Sequence, residues 1–254
     1  MRVNGKVLVD FLNRVTIGGS IDDCVLRFEP NGLNVTVRDL SSVGAVNGVL
    51  NKEGNFQDYK DGLEIPVADT GRLLSILKLI DGAAEIVVED DTFRLIGESV
   101  EGSMKMKKRE FVHCDVPADK WPQLGYDESD EFEIDAGIFD VARKSIGELT
   151  KKSMGDTQNR HLVAAVRDGL FTLQAGEDTG DKIIAKVPVN FGKEASADYG
   201  EAFLEFVTVM KGSLKIAFRD DYPIVIKSRD NNSEITWLVS PILPLGEEEV
   251  KENV

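Results

Sequence analysis

Apolar and polar residues alternate through two stretches near the end of the chain. In DYPIVIKSRDNNSEITWLVSPIL, Asp221 to Leu243, Ile224 and Ile226 share one face while Val225 and Lys227 share the other. Arg229 to Ser233 is a polar turn, and Ile235 to Val239 returns antiparallel. Proline has no N–H to give to a sheet ladder, so Pro223 and Pro241 mark where these strands enter and leave the sheet. A tight hairpin brings both prolines to one end, beside Tyr222, Leu238 and Ser240. Taken alone, that rim is an ordinary strand exit. Four other segments follow helical spacing: Gly5 to Gly18, Asp69 to Ile80, Asp135 to Ser153 and Gly200 to Gly212. Asp69 and Asp135 are suited to cap helix starts, and Gly18, Gly155 and Gly212 to end helices. The rest reads as short strands and turns, as in VLRFEPNGLNVTV and HLVAAVRDGLFTLQAG. Helix, hairpin, strand, helix, hairpin occurs once before residue 110 and again after residue 135, a period that suggests duplicated domains.

Length and composition narrow the class. A chain of 254 residues buries roughly three quarters of its unfolded surface and needs no covalent staples. Cys24 and Cys114 match no metal or redox spacing, which fits a reducing, cytoplasmic compartment. The apolar stretch in MRVNGKVLVDFLNRV is short and interrupted for a signal peptide, and no run approaches the ~18 apolar residues of a membrane span. A soluble protein with no membrane partner is expected. Nucleotide-loop, serine-nucleophile, zinc-protease and dinucleotide patterns are all missing from the sequence. The acidic pairs Asp90 with Asp91 and Asp220 with Asp221 sit at expected hairpin turns, where aspartate suits the backbone. No catalytic residue, metal ligand or cofactor is nominated.

The net charge is −15, but it is unevenly spread. The four helical segments hold nine Lys or Arg against seven Asp or Glu, so the remaining chain is strongly acidic. Either the lysines are simply good helix formers, or basic helices line one surface and enclose a polyanion that the exterior repels. MKMKKRE, Met104 to Glu110, reads as a strand with Lys105, Lys107 and Arg109 on one face. In the second half Glu177, Asp178 and Asp181 precede an apolar strand, and opposite charges on equivalent edges suit a head-to-tail contact between copies. Between the halves lies HCDVPADKWPQLGYDESDEFEID, with Trp121, Leu124 and Tyr126 as apolar anchors. It either packs onto a sheet or forms one wall of a binding groove.

The assembled pattern resembles a DNA sliding clamp of the PCNA family, archaeal or viral in type. The resemblance covers nearly the whole chain. VRDLSSVGAVNGVL (Val37 to Leu50) is similar to a loop and strand of that family, and DTGRLLSILKLIDGAAEIVVEDDTFRLI to a helix and hairpin. The exit from Leu238 to Pro241 and the acidic tail GEEEVKE match as well. The resemblance implies an α+β chain of two duplicated clamp domains, each with two helices packed on antiparallel sheets, assembling into a closed ring. Residues 1–112 and 135–246 would be the domains, 113–134 the connector and 247–254 the tail. The family forms a ring, usually a homotrimer, whose twelve helices surround duplex DNA without reading its sequence. It acts without catalysis or cofactor, holding DNA polymerase and other replication and repair proteins to the template after a clamp loader places it.

Carried over by position, Lys78 and Lys144 face DNA, with Arg14, Arg72, Arg143, Lys151, Lys152 and Lys211 expected on the same surface. An apolar pocket for a short partner helix maps to Val43, Ala45, Trp121, Leu124, Tyr126, Pro223, Leu238, Ser240 and Pro241. Arg38 stands where the family often has Met, and Leu238 where it often has Tyr, which alters the pocket, with Trp121 placed to compensate. Lys105, Lys107 and Arg109 with Glu177, Asp178 and Asp181 form the expected subunit contact. Two alternatives stand beside this: a subunit of a heterotrimeric or checkpoint-type clamp, and a metal-dependent hydrolase on a two-domain β-rich scaffold.

Overall fold

The structure, a computed structural model, describes residues 1–41, 43–117, 120–152, 162–176, 182–200 and 202–242. The first half runs β1 (Arg2–Asn4), α1 (Gly5–Val15), β2 (Cys24–Glu29), β3 (Gly32–Arg38), β4 (Gly44–Asn51), β5 (Phe56–Gln57), β6 (Leu63–Val67), α2 (Thr70–Leu77), β7 (Ala83–Glu89), β8 (Thr92–Ile96) and β9 (Glu101–Lys105). The second half runs β10 (Glu131–Asp135), α3 (Gly137–Lys152), β11 (Leu162–Arg167), β12 (Leu170–Gly176), β13 (Lys182–Pro188), β14 (Ala195–Asp198), α4 (Ala202–Val207), β15 (Ser213–Ala217), β16 (Ile224–Arg229) and β17 (Ser233–Val239).

Local chemistry accounts for the helix starts and the turns. The Asn4 side chain accepts the Val7 N–H at the start of α1, and the Asp69 side chain accepts the Arg72 N–H at the start of α2. Asp135 accepts the N–H of Gly137, the first residue of α3. Asp90 and Asp221 occupy the acidic turns with φ of 49° and 43°, a backbone that aspartate tolerates better than most residues. In the last hairpin Ile224 pairs with Val239, so Pro223 and Pro241 do lie at the same end.

The strands form three sheets, all antiparallel, and their order exposes the repeat. The first reads β5-β1-β7-β8-β9, the third β13-β12-β11-β14, and the central one β10-β15-β16-β17-β4-β3-β2-β6. The block β10-β15-β16-β17 copies β1-β7-β8-β9, and β4-β3-β2-β6 copies β13-β12-β11-β14. The central sheet therefore joins one block from each half, along the β17–β4 ladder from Ser233↔Leu50 to Val239↔Gly44. The same two blocks occur again, unjoined, with β9 and β13 as open edges.

Two glycines let helices from both halves settle on this joint. A Cβ on Gly48 would lie 2.3 Å from Val15 Cγ1 of α1, and one on Gly44 would lie 2.1 Å from the Phe206 ring of α4. Val46 and Leu50 complete that buried face of β4, with Trp237 opposite Val46 on β17. Glycine is needed here for close approach rather than for its backbone freedom. A corresponding contact occurs at the open edge of β9, where a Cβ on Gly102 would meet Ile76 of α2 at 2.4 Å.

Candidate functional site

Side chains of β4 and β17 alternate across the central sheet, so Ala45 and Leu238 face away from the helices. They are paired in register, and Arg38 on β3 pairs with Ala45 from the other side. Arg38, Ala45 and Leu238 thus form one row across three strands. This row floors a cleft of about 400 Å³, with Val43, Gly44 and Ser240 at the strand ends and the connector residues Asp115, Val116, Pro117, Lys120 and Pro122 as the opposite wall. The Ser240 N–H donates to the Val43 carbonyl at 2.8 Å, closing the sheet end of the cleft.

The connector reaches this position because both its ends are tied down. At its start, the Val116 N–H donates to the Thr36 carbonyl, and the Arg38 N–H to the Cys114 carbonyl, extending β3 by a short bridge at Val37 and Asp115. Asp115 pairs with Arg27 and Arg109, and both arginines also pair with Glu64. The buried Asp23 carboxylate accepts Lys107 Nζ at 2.6 Å and the backbone N–H of Cys114 at 2.8 Å. Burial pushes its pKa up, but these donors outweigh burial and hold it below the usual carboxylate range. At the far end Asp130 is buried yet accepts Arg219 Nε at 2.9 Å and Lys193 Nζ at 2.6 Å. Arg219 also stacks over Tyr126 at 4.9 Å and over Tyr222 at 5.9 Å. The Tyr126 hydroxyl donates to the Pro223 carbonyl, and that of Tyr222 to the Leu124 carbonyl.

On the opposite side of the sheet, the helices carry exposed cations. Lys6 of α1, Arg72 of α2, Lys78 at the end of α2, and Arg143 and Lys144 of α3 are all exposed. Lys6, Lys78 and Lys211 surround a single depression of about 370 Å³ between α1, α2 and the turn after α4, with Asp10 and Asp81 among them. Lys211 reaches across to Asp10 at 2.6 Å, and Arg143 pairs with Asp140 at 3.1 Å. Among the described residues no group of three or more His, Cys, Asp or Glu is placed to hold a metal ion. No helix among them is long and apolar enough to cross a membrane.

No family model matches the chain. The "DNA polymerase sliding clamp" of Thermoplasma acidophilum is 22% identical over 231 residues, covering 88% of this chain and 87% of that protein. Among solved structures, the A. fulgidus PCNA with the C-terminal region of FEN-1 bound superposes with a TM-score of 0.73 at 21% identity, over 96% of this chain and 98% of that one. The PCNA2–PCNA3 complex of Sulfolobus tokodaii gives 0.72 at 15% identity over 95% and 99%, and the PCNA of Entamoeba histolytica 0.74 at 13% over 95% and 98%. The chain has the sliding-clamp fold.

Within that clamp fold, several expected positions shift. Arg14 is not on the helix surface: it is 2% exposed, bonded to Asp230 at 3.0 Å and Ser228 at 2.7 Å, and lies over the Trp237 ring. The β16–β17 hairpin covers the flank of α1 that helical spacing alone leaves polar. The strand expected over Met104 to Glu110 stops at Lys105, and Lys107 and Arg109 are spent on Asp23, Glu64 and Asp115 inside the chain. Only Lys105 of the three extends from the edge without an ion pair among the described residues. Val43, Ala45, Leu238 and Ser240 line the cleft as expected, whereas Trp121, Leu124, Tyr126, Pro223 and Pro241 do not. Leu124, Tyr126 and Pro223 instead form the anchor that holds the connector, and Trp121 is half-buried between Lys120 and Pro122. Lys151 and Lys152 fall within α3, and nothing is described of their side chains. Glu177, Asp178 and Asp181 lie outside the described residues.

Proposed function

We propose that this chain is a sliding clamp: a non-catalytic ring of three copies that encircles duplex DNA and holds polymerase and other partners to it through short peptides. The observation that carries the reading is the duplicated sheet with its two open edges. Within the chain β17 already pairs with β4, flanked by α4 and α1. The repeat counterparts of these strands, β9 and β13, have no partner on their outer edges among the described residues, with α2 packed on β9 through Ile76 and α3 on β12 and β13. Pairing β9 of one copy with β13 of the next rebuilds the central sheet, helices included. Such a contact is head-to-tail, and it closes into a ring when the rotation per copy permits. Three copies is the closure that the family resemblance implies. The cleft beside the connector is the partner site, on the sheet face away from the helices. That the A. fulgidus relative was solved with the C-terminal region of FEN-1 bound supports a peptide as the kind of partner.

Light scattering over a dilution series tests the assembly. A mass of three 28.0 kDa chains that falls on dilution is expected, whereas one chain at every concentration would overturn the self-assembling ring. One observation favours a heteromeric ring as a second reading. Exposed lysines sit on both open edges, Lys105 on β9 and Lys182 and Lys186 on β13, so an edge richer in acids would suit either better than a second copy. The S. tokodaii relative was solved as a complex of two different chains.

A further inference from the structure

We infer that the connector cleft selects partner peptides carrying an acidic residue beside their apolar anchors, and that Arg38 is the side chain that selects them. The inference rests on reading the cleft as a peptide-docking site. Register alone places Arg38 there: it lies in the row Arg38, Ala45, Leu238, so its stem adjoins the apolar floor that an anchor residue would cover. Arg38 is exposed and makes no ion pair among the described residues. This sets it apart from Arg27 and Arg109 nearby, whose guanidinium groups are committed to Glu64 and Asp115.

The one acid lining the cleft among the described residues, Asp115, does not offset Arg38. Its side chain is 7% exposed and is held by two arginines on the connector's inner side. On a chain of net charge −15, the cleft therefore presents an unpaired cation next to an apolar floor. Leu40, two residues beyond Arg38 in the β3–β4 loop, is 68% exposed. The complementary occupant is a short amphipathic segment with apolar residues for the floor and a carboxylate within reach of the guanidinium. Arginine suits this role because its planar fork can take both carboxylate oxygens.

The test uses the full chain and a set of labelled synthetic peptides of about 15 residues. Each peptide carries one aliphatic anchor and an aromatic pair at helical spacing. The parent has glutamine at every other variable position, and the others carry a single glutamate moved along it. Affinities are read by fluorescence anisotropy at low and high salt. The expected result is that the parent binds, one glutamate position tightens binding about five-fold at low salt, and the gain fades at high salt. Arg38→Met should abolish that gain, and Arg38→Glu should transfer the preference to a lysine at the same position, each read as a ratio to the same variant's affinity for the parent peptide. A parent that binds with no glutamate preference, or a preference that survives Arg38→Met, would overturn the role of Arg38 and leave the docking reading standing. No binding by any peptide would remove the docking reading and this inference with it.

Discussion

Arg14 of α1 is buried against the β16–β17 hairpin. Its position on α1 lies to one side of the buried stripe of Leu8, Phe11, Leu12 and Val15, so local spacing leaves it on the polar flank. The partners that bury it, Ser228, Asp230 and Ser233, are more than 200 residues away in sequence, and no local pattern announces them. Arg14 therefore holds a helix to a hairpin, and Arg14→Ala removes Asp230's ion-pair partner and the cation over Trp237, leaving Asp230 its bonds from Asn232 and Ser233. With Asp230 half exposed, the loss should be about 2–3 kcal/mol in urea unfolding, without any specific change in DNA retention. A variant of native stability would remove this role. Asp130 gives a pH signature of the same kind. The hydrogen bond from Arg219, helped by Lys193, holds its carboxyl well below the usual range despite burial. Its folded pKa is depressed, so its contribution is fully present above the unfolded value of ~4 and is lost as pH falls through the folded value. The stability gap between wild type and Asp130→Asn should therefore be constant from pH 7 to about 5 and shrink below ~4. A gap independent of pH down to 3 would sever Asp130 from acid sensitivity.

Elements were far more legible than contacts. Alternation and helical spacing carry the hairpins and the cap at Asp69, because each is set by residues within a few positions of one another. The order of strands within the sheets is a long-range property, and so is the fate of Lys107 and Arg109. Those two look like an interface stripe in sequence, yet they tie the connector to the first half. Reversing their charge would damage each subunit, so a loss of assembly in such a variant would say nothing about the ring contact. The edges themselves give a cleaner probe. Ile184 on β13 is 37% exposed and points away from the buried Ala185 face. If β13 pairs with β9 of another copy, Ile184→Lys removes apolar contact and adds a third lysine beside Lys182 and Lys186. The mass should shift towards one chain in light scattering while the thermal midpoint of the dissociated chain stays unchanged. Retention of the wild-type mass would place the contact on other elements. The cleft was half legible: its strand residues, Arg38 among them, follow from the family pattern, but the connector wall enters through a backbone bridge that the linker's composition does not show.

At the scale of the molecule, the proposed ring asks an acidic chain to hold an acidic polymer, and the helix side is the one that would meet it. The helices bear Lys6, Arg72, Lys78, Arg143 and Lys144 in the open, but Asp140 pairs with Arg143, and Asp10 takes up Lys211 beside them. Few free cations mean few counterions released on contact with phosphates, hence weak and only mildly salt-dependent attraction. A link that depends on encirclement does not need more, and weak contacts favour sliding. Two consequences separate encirclement from surface binding. The assembled protein, loaded on nicked circular DNA, should stay bound through a salt rise that strips ordinary phosphate binders, and it should leave once the circle is cut. Lys78→Ala with Lys144→Ala should leave the assembly mass unchanged and shorten polymerase products, most strongly at low salt, where the removed contacts count for most. Both residues are exposed and outside the core, so folding is not at issue. Full-length products from the double variant would show that these lysines do not face the duplex, and release from uncut circles by salt alone would show that the chain binds DNA without enclosing it.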